Sequence, residues 1–158
     1  MNTTITEKTI LLSKKGMKEL KKSIQQLEHD RKKAIQTLHE ADKTFGHDER
    51  LARIEKLAIL EGIDSELADK RQTLLSAKLL PTRHNRLRVA IGSVVDLIDK
   101  HGHLFRFTIV DSIEADPSDG RISTQSPLGR SLIGRTVKDI VEWRHGNKFN
   151  QFQLVRIV

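Results

Sequence analysis

Two long amphipathic segments fill the stretch from residue 13 to residue 80 and are interrupted once, at residues 44–49. In the first segment, apolar side chains recur at steps of three, four and seven, which places them on one stripe of an α-helix. The pattern predicts an antiparallel coiled-coil hairpin with its tip at the interruption. Its seam would consist of Leu20, Ile24, Leu27, Ala34, Leu38 and Ala41 from the first segment and Leu51, Ile54, Leu60, Ile63, Leu67 and Leu74 from the second.

The ends of the first predicted helix carry their own signals. Ser13 can cap its start, because a serine hydroxyl accepts a hydrogen bond from a free backbone N–H of the first turn. Gly46 lies where the periodicity stops, and we expect it to adopt the left-handed conformation that glycine favours. A helix from Lys14 to about Asp42 would be roughly 43 Å long at ~1.5 Å per residue, more than a small core requires. A rod of that length must pair with something or reach into something.

The rod is predicted to end at Pro81, because a proline disfavours helix at the residue before it. We therefore place a boundary between a coiled-coil domain at residues 1–81 and a globular domain at residues 82–158. From Val89 onward the period changes from helical to strand-like, with β-branched and aromatic runs separated by turn sequences. These runs predict antiparallel strands at residues 89–98, 103–110, 120–126, 139–143 and 150–158.

The globular domain has two further predicted features. A short helix is expected around residues 127–132, which makes the whole chain an α+β protein. Strand alternation would place Phe105 and Phe107 on one face of the sheet and Arg106 on the other.

The composition limits the setting and the chemistry. The 158 residues include no cysteine, which excludes disulfides, thiolate catalysis and cysteine-based zinc sites. No apolar run approaches the ~20 residues that span a bilayer, and the N-terminus lacks the order of a signal peptide, so we expect a cytoplasmic protein without a membrane partner. The net charge of +7 is spread over both halves, and aromatic residues are 4% of the chain. This favours a large polyanionic assembly over base readout as the partner.

Few residues are arranged for chemistry. Asp99, His101 and His103 share one predicted turn and could be drawn as a metal site, but two histidines two apart on a turn are more often solvent-facing. We therefore expect no metal in the free protein. At the hairpin tip, the carboxylates of Asp42, Asp48 and Glu49 are the set that could act together. Their alternative role is solvation of the helix ends and pairing with the helix dipole.

The densest basic cluster is Arg31, Lys32 and Lys33 in the first helix. One interpretation is a solvated helix face whose charges pair along the helix. In the other, Arg31 continues the seam spacing, so that its stem packs while its guanidinium emerges at the hairpin edge. An anchored cation of that kind suits an acidic or phosphate partner.

The sequence resembles the bacterial Gre transcript-cleavage and elongation factors, GreA and GreB, over essentially its whole length. The resemblance rests on LSKKGMKELKKSIQQL, on the rod length and above all on ISTQSPLGRSLIGRTVKDIV. It implies an N-terminal antiparallel coiled coil and an FKBP-like C-terminal domain. It also implies docking on RNA polymerase through Ser126, Pro127 and Leu128, with the rod passing through the secondary channel. The basic cluster would then contact acidic channel walls or nascent RNA, and the chain would be a regulator without an enzyme activity of its own.

The tip departs from the family pattern Gly-Asp-x-x-Glu-Asn. With the glycine laid on Gly46, His47 stands at the aspartate position, Arg50 at the glutamate position and Leu51 at the asparagine position. In the family these acids help to hold Mg²⁺ in the polymerase's own active site, a task for hard oxygen ligands. The chain would need no cofactor of its own, and polymerase-bound Mg²⁺ is the metal it would meet.

Two functions stay open at this point. The first is a monomeric, Gre-type regulator of RNA polymerase, with or without cleavage stimulation. The second is a structural or interaction protein that uses its coiled coil to pair with another chain. The match at residues 126–134 favours the first.

Overall fold

The computed structural model of the protein describes residues 8–41, 47–81 and 86–158, with the backbone alone at residues 47, 48 and 145. Its contacts group Lys15–Ala77 into a helical unit, and Thr9–Lys14 with Lys78–Val158 into a sheet unit. Two short 3₁₀ turns, Ser112–Glu114 and Pro117–Asp119, precede the fifth strand. The main elements in chain order are β1 (Ile10–Leu12), α1 (Lys14–Ala41), α2 (His47–Ser76), β2 (Ala77–Leu79), β3 (Val94–Asp99), β4 (Leu104–Val110), β5 (Arg121–Ser123), α3 (Pro127–Leu132), β6 (Ile140–His145) and β7 (Lys148–Ile157).

The helical unit is the predicted antiparallel hairpin of α1 and α2. Two ion pairs cross it, from Arg31 Nε to Asp64 Oδ1 at 2.5 Å and from Arg71 Nη2 to Glu28 Oε1 at 2.7 Å. The partners' numbers run in opposite directions along the two helices, which shows that the helices are antiparallel. The seam is confirmed over most of its length, since its predicted residues are buried at Leu20, Ile24 and Leu67 and half-buried at Leu27, Ala34, Leu38, Ala41, Leu60, Ile63 and Leu74.

The predicted seam is wrong at its distal end. Leu51 and Ile54 are both 61% exposed. The two cross-hairpin ion pairs, Arg31 with Asp64 and Glu28 with Arg71, show that α2 residues nearer to the tip face successively later residues of α1. The described part of α1, which ends at Ala41, does not cover these two side chains. Gly46, the predicted cap, lies outside the described residues.

The sheet unit contains a five-stranded sheet in the order β5-β4-β3-β7-β6. Strand pairs β3–β4, β3–β7 and β6–β7 are antiparallel, as predicted, but β4 and β5 are parallel, which corrects the expectation of a purely antiparallel sheet. Parallel neighbours need a crossover connection, and the two 3₁₀ turns between Val110 and Arg121 supply it. The predicted α+β class, with a hairpin and a sheet that carries one short helix, is confirmed.

The core of the sheet unit lies between the sheet and α3. Phe105 and Phe107 stack with ring centroids 6.3 Å apart, while Arg106 points to the opposite face and pairs with Asp96, as alternation predicts. Strand β3 begins at Val94 and not at the predicted residue 89, because the chain turns at Gly92, where φ is +89°. The buried cluster consists of Val89, Val95, Leu97, Ile109, Ile122, Leu128, Leu132, Val141, Leu154 and Ile157.

A short strand pair joins residues that are far apart in sequence. β1 pairs with β2, and the Leu80 N–H donates to the Leu12 carbonyl at 2.9 Å. The side chain of Leu12 is fully buried. Within the parts of the chain that the structure describes, no helix is both long and apolar enough to cross a membrane.

Candidate functional site

The hairpin tip is described from the start of α2 onward. Because α2 begins at His47, Glu49 and Arg50 belong to its first turn. Glu49 is half-buried, whereas Arg50 is exposed to solvent. Asp42 and the side chains of His47 and Asp48 lie outside the described residues, so the register of the tip acids stays a prediction. The structure therefore places a freely accessible cation in the first turn of α2.

The basic cluster divides into a paired and an unpaired part. Arg31 donates through Nε to Asp64 of the opposite helix, so its charge is compensated across the hairpin and not along its own helix. Lys32 and Lys33 are exposed and have no ion-pair partner among residues 8–41, 47–81 and 86–158. Among the described residues, the uncompensated positive charge of this cluster is thus that of the two lysines.

A cleft of about 480 Å³ opens beside this cluster in the helical unit. It is lined by charged side chains of both signs together with two apolar residues: Glu28, Arg31, Lys32, Asp64, Leu67, Ala68 and Arg71. Sequence reasoning missed Asp64 as the partner of Arg31. A signal was present, because Asp64 follows the seam residue Ile63 directly and so lies at the edge of the helix interface.

The predicted docking residues are held in one tight turn before α3. The Ser126 hydroxyl caps the helix: it accepts from the Gly129 N–H at 3.0 Å and donates to the Ser123 carbonyl at 2.7 Å. A Cβ on Gly129 would lie 2.0 Å from that same carbonyl oxygen, so only glycine fits there. The turn is therefore a rigid, preformed feature.

The three docking residues do not share one exposed surface. Pro127 is exposed and Ser126 is half-buried, but the Leu128 side chain is 5% exposed and belongs to the core cluster. A polar substitution at Leu128 would therefore disturb folding and could not report on docking. Of the three, Pro127 is the residue that a partner can reach most directly.

The turn with two histidines is organised by a carboxylate. Asp99 Oδ1 accepts from the backbone N–H groups of His101 and His103 at 2.8 and 2.9 Å, and Oδ2 lies 3.0 Å from His103 Nδ1. Burial acts to raise the pKa of Asp99, but the hydrogen bonds from His103 and His101 outweigh it and lower that pKa. Over the described part of the chain, no three His, Asp or Glu side chains are grouped to hold a metal ion. The Asp99 carboxylate stabilises the turn by accepting its backbone hydrogen bonds.

Comparisons with known proteins agree over both units. The family model described as "Transcription elongation factor, GreA/GreB, C-term" matches residues 84–157. The transcription elongation factor GreA of Mesomycoplasma hyopneumoniae is 33% identical over 157 residues, covering 95% of this chain and 94% of that protein. The GreA of Chlorobium phaeobacteroides is 32% identical over 139 residues, covering 84% and 86%. The crystal structure of Thermus aquaticus Gfh1 aligns with a TM-score of 0.44 and 24% identity, covering 95% and 98%.

A helical hairpin, a sheet unit and relatives that match from end to end define the class as a two-part transcription elongation factor. The chain belongs to the GreA/GreB family. The resemblance seen in the sequence is thereby confirmed.

Proposed function

We propose that this protein binds RNA polymerase and regulates transcript elongation, with the α1–α2 hairpin entering the secondary channel. The observation that carries this proposal is the hairpin itself. Its helices contain 28 and 30 residues and pair through a seam that is buried or half-buried except at its distal end, which gives a rod of roughly 40 Å at ~1.5 Å per residue. The end-to-end relationship to proteins named transcription elongation factor GreA supports the same proposal.

At the tip, the proposal is binding with little or no stimulation of transcript cleavage. Cleavage by a two-metal site needs oxygen ligands that neutralise Mg²⁺ and orient the attacking water. In the family register this chain offers His47 and Arg50 at those positions, and Arg50 is exposed. A guanidinium beside Mg²⁺ is repelled by it, and an imidazole is a poor ligand for it. Occupancy of the channel without chemistry would then act as inhibition or as competition with active Gre factors.

Two measurements test this proposal in sequence. The first is co-elution of the full-length protein with core RNA polymerase, where we expect a stable complex. The second is transcript cleavage in a backtracked elongation complex, where we expect no more than the polymerase's intrinsic rate. Absence of a complex would reject polymerase binding, whereas a complex that cleaves rapidly would reject only the inactive tip.

One observation favours the second candidate, a coiled-coil interaction protein. Leu51, Ile54 and Ile59 of α2 are each about 60% exposed and provide an apolar surface for a partner helix. Sedimentation equilibrium separates the two candidates. Self-association that is lost in the double variant Leu51→Ser with Ile54→Ser, together with no polymerase complex, would favour the interaction protein.

A further inference from the structure

The sheet unit carries a basic surface that has no role in the contacts proposed so far for the hairpin tip and for the turn at residues 126–128. It is formed by residues 86–88 and residues 130–139, which we call the basic face. Two backbone hydrogen bonds hold these segments side by side: the Val89 N–H donates to the Arg135 carbonyl at 2.9 Å, and the Gly134 N–H donates to the Val89 carbonyl at 2.8 Å. The face is therefore a fixed feature of the fold.

The charge of the basic face is strongly one-sided. Its thirteen residues carry five cations and one carboxylate, and all five cations are exposed. The carboxylate is Asp139, whose Oδ2 accepts from the Thr136 N–H at 2.8 Å and from the Thr136 hydroxyl at 3.1 Å. This carboxylate therefore stabilises the turn between Thr136 and Asp139. The cations are Arg86, Arg88, Arg130, Arg135 and Lys138.

The pKa of Asp139 is lowered in part by cations from both segments of the basic face. The two hydrogen bonds from Thr136 lower the pKa of Asp139, burial opposes them, and the charges of Arg135 and Arg88 lower it further. Arg88 comes from one segment of the face and Arg135 from the other. Charges from both segments thus act on the same carboxylate.

Apolar side chains lie among these cations. Leu87 is 78% exposed, and Ile133 and Val137 are each 41% exposed. Their neighbours Val89 and Leu132 are buried in the core, which anchors the backbone that presents them. A surface that combines arginine with exposed aliphatic groups has the composition of a protein interface.

We propose that the basic face binds an acidic segment of RNA polymerase that also carries apolar side chains. This inference rests on the proposed function and adds a second contact to the one expected at Pro127. A nucleic-acid backbone would pair with the cations but would leave Leu87, Ile133 and Val137 against phosphate and sugar. An acidic protein segment with apolar residues would satisfy both the cations and the aliphatic groups.

Matched charge reversals test the proposal. Arg86→Glu with Arg88→Glu changes the net charge by −4, and so does the control, Arg144→Glu with Lys148→Glu at the β6–β7 hairpin, where both residues are exposed. We expect the first variant to weaken binding to core RNA polymerase by about tenfold or more and to reduce its dependence on KCl concentration, with a change of less than about twofold in the control. Thermal unfolding verifies that both variants fold. Arg86→Gln with Arg88→Gln, which removes charge without reversing it, should give a smaller loss in the same direction.

A second arm locates the contact. A photo-crosslinking amino acid in place of Leu87 should crosslink to polymerase, and the crosslinked peptide should be acidic. The control is the same substitution at Leu104, which is 62% exposed on the sheet and should not give that peptide.

Equal losses in both charge-reversal variants would overturn the proposal, as would unchanged binding in the first. Loss of binding to a DNA duplex with polymerase binding intact would assign the face to nucleic acid instead. If the wild type forms no polymerase complex at all, the proposed function fails and this inference fails with it.

Discussion

The Glu114 carboxylate accepts two hydrogen bonds from Ser13, one from the backbone N–H at 2.8 Å and one from the hydroxyl at 2.5 Å. The two residues are 101 positions apart in sequence, and Glu114 is buried. The sequence identified Ser13 as a helix cap, and α1 does begin at the next residue. It gave no indication that this serine would donate to a distant acid.

We expect Glu114→Ala to lower the free energy of unfolding by about 1–3 kcal/mol, because it leaves the Ser13 donors without this acceptor in a partly buried position. Ser13→Ala removes the hydroxyl donor and leaves Glu114 Oε1 without it in a buried position, so it should also cost about 1–3 kcal/mol. Urea unfolding of the two variants beside the wild type measures both values. A loss below about 0.5 kcal/mol in both variants would contradict the pairing.

The Asp96–Arg106 ion pair predicts a specific pH dependence. Hydrogen bonding from Arg106 lowers the pKa of Asp96, burial opposes it, and the charges of Arg106 and Arg156 lower it further. The folded protein thus binds this proton less readily than the unfolded chain, in which an aspartate titrates near ~3.9. The stabilisation is complete above that pH and is lost as the pH falls through the folded-state pKa.

Asp96→Asn should therefore be less stable than the wild type at neutral pH, and the difference should shrink as the pH falls below about 4. Melting temperatures measured from neutral pH into the acid range provide the check. A difference that stays constant with pH would mean that the substitution acts through packing and not through the charge.

Lys138 adopts a conformation that favours glycine. Its φ is +79°, and among the described residues it is the one with positive φ that is not glycine. The left-handed region costs an L-residue about 1–2 kcal/mol, and glycine loses about 0.4–1 kcal/mol of that gain through unfolded-state entropy. We expect Lys138→Gly to raise the free energy of unfolding by roughly 0.5–1 kcal/mol. Lys138→Ala, which keeps the strained backbone, should give no such gain in the same denaturation experiment.

Lys32 and Lys33 of α1, which have no ion-pair partner among the described residues, predict a contact of the hairpin with acidic walls or RNA phosphate. Lys32→Glu with Lys33→Glu should weaken the polymerase complex and flatten its salt dependence, because exposed charges are screened over ~8–10 Å near physiological ionic strength. Lys21→Glu with Lys22→Glu makes the same charge change at exposed positions of the same helix and is the control. Arg31 is unsuitable for this test, since its substitution would also break the pair with Asp64. An equal effect of both double variants would argue against a local contact.

The tip predicts a gain of function. If His47 and Arg50 occupy the two acid positions, His47→Asp with Arg50→Glu should raise transcript cleavage, because it supplies the missing oxygen ligands. If Asp48 and Glu49, with Asp42, face the metal instead, the wild type should cleave, and alanine at Asp48 or Glu49 should abolish that activity. The assay is RNA release from a backtracked complex. Strong wild-type cleavage that survives alanine at all three acids would contradict both versions.

The sequence predicted what depends on local periodicity. The three-four-seven spacing located the seam at Leu20, Ile24 and Leu67, and the short helix expected at residues 127–132 is α3. It failed where a neighbour in space decides the outcome. Leu51 continues the seam spacing and yet is exposed, and the parallel placement of β5 follows from a crossover made of turns.

For the candidate sites too, the sequence indicated single residues but not their neighbours in space. The sequence drew attention to Arg31 and to Leu128, but the structure pairs the first with Asp64 and buries the second in the core. The basic face joins residues 86–88 to residues 130–139, and no sequence pattern links two segments separated by more than forty residues. Such clusters become visible only when backbone hydrogen bonds, here between Val89 and Arg135, are known.

The strand pair that joins Leu12 to Leu80 has a consequence for the order of events on the ribosome. Leu12 is translated 68 residues before its backbone partner, and the acceptor for Ser13 is translated later still. The hairpin relies on contacts within residues 15–77 and can form while the rest of the chain is being made. The N-terminal strand must wait, and it becomes fixed only after the coiled coil has been synthesised and the first part of the sheet unit has followed it.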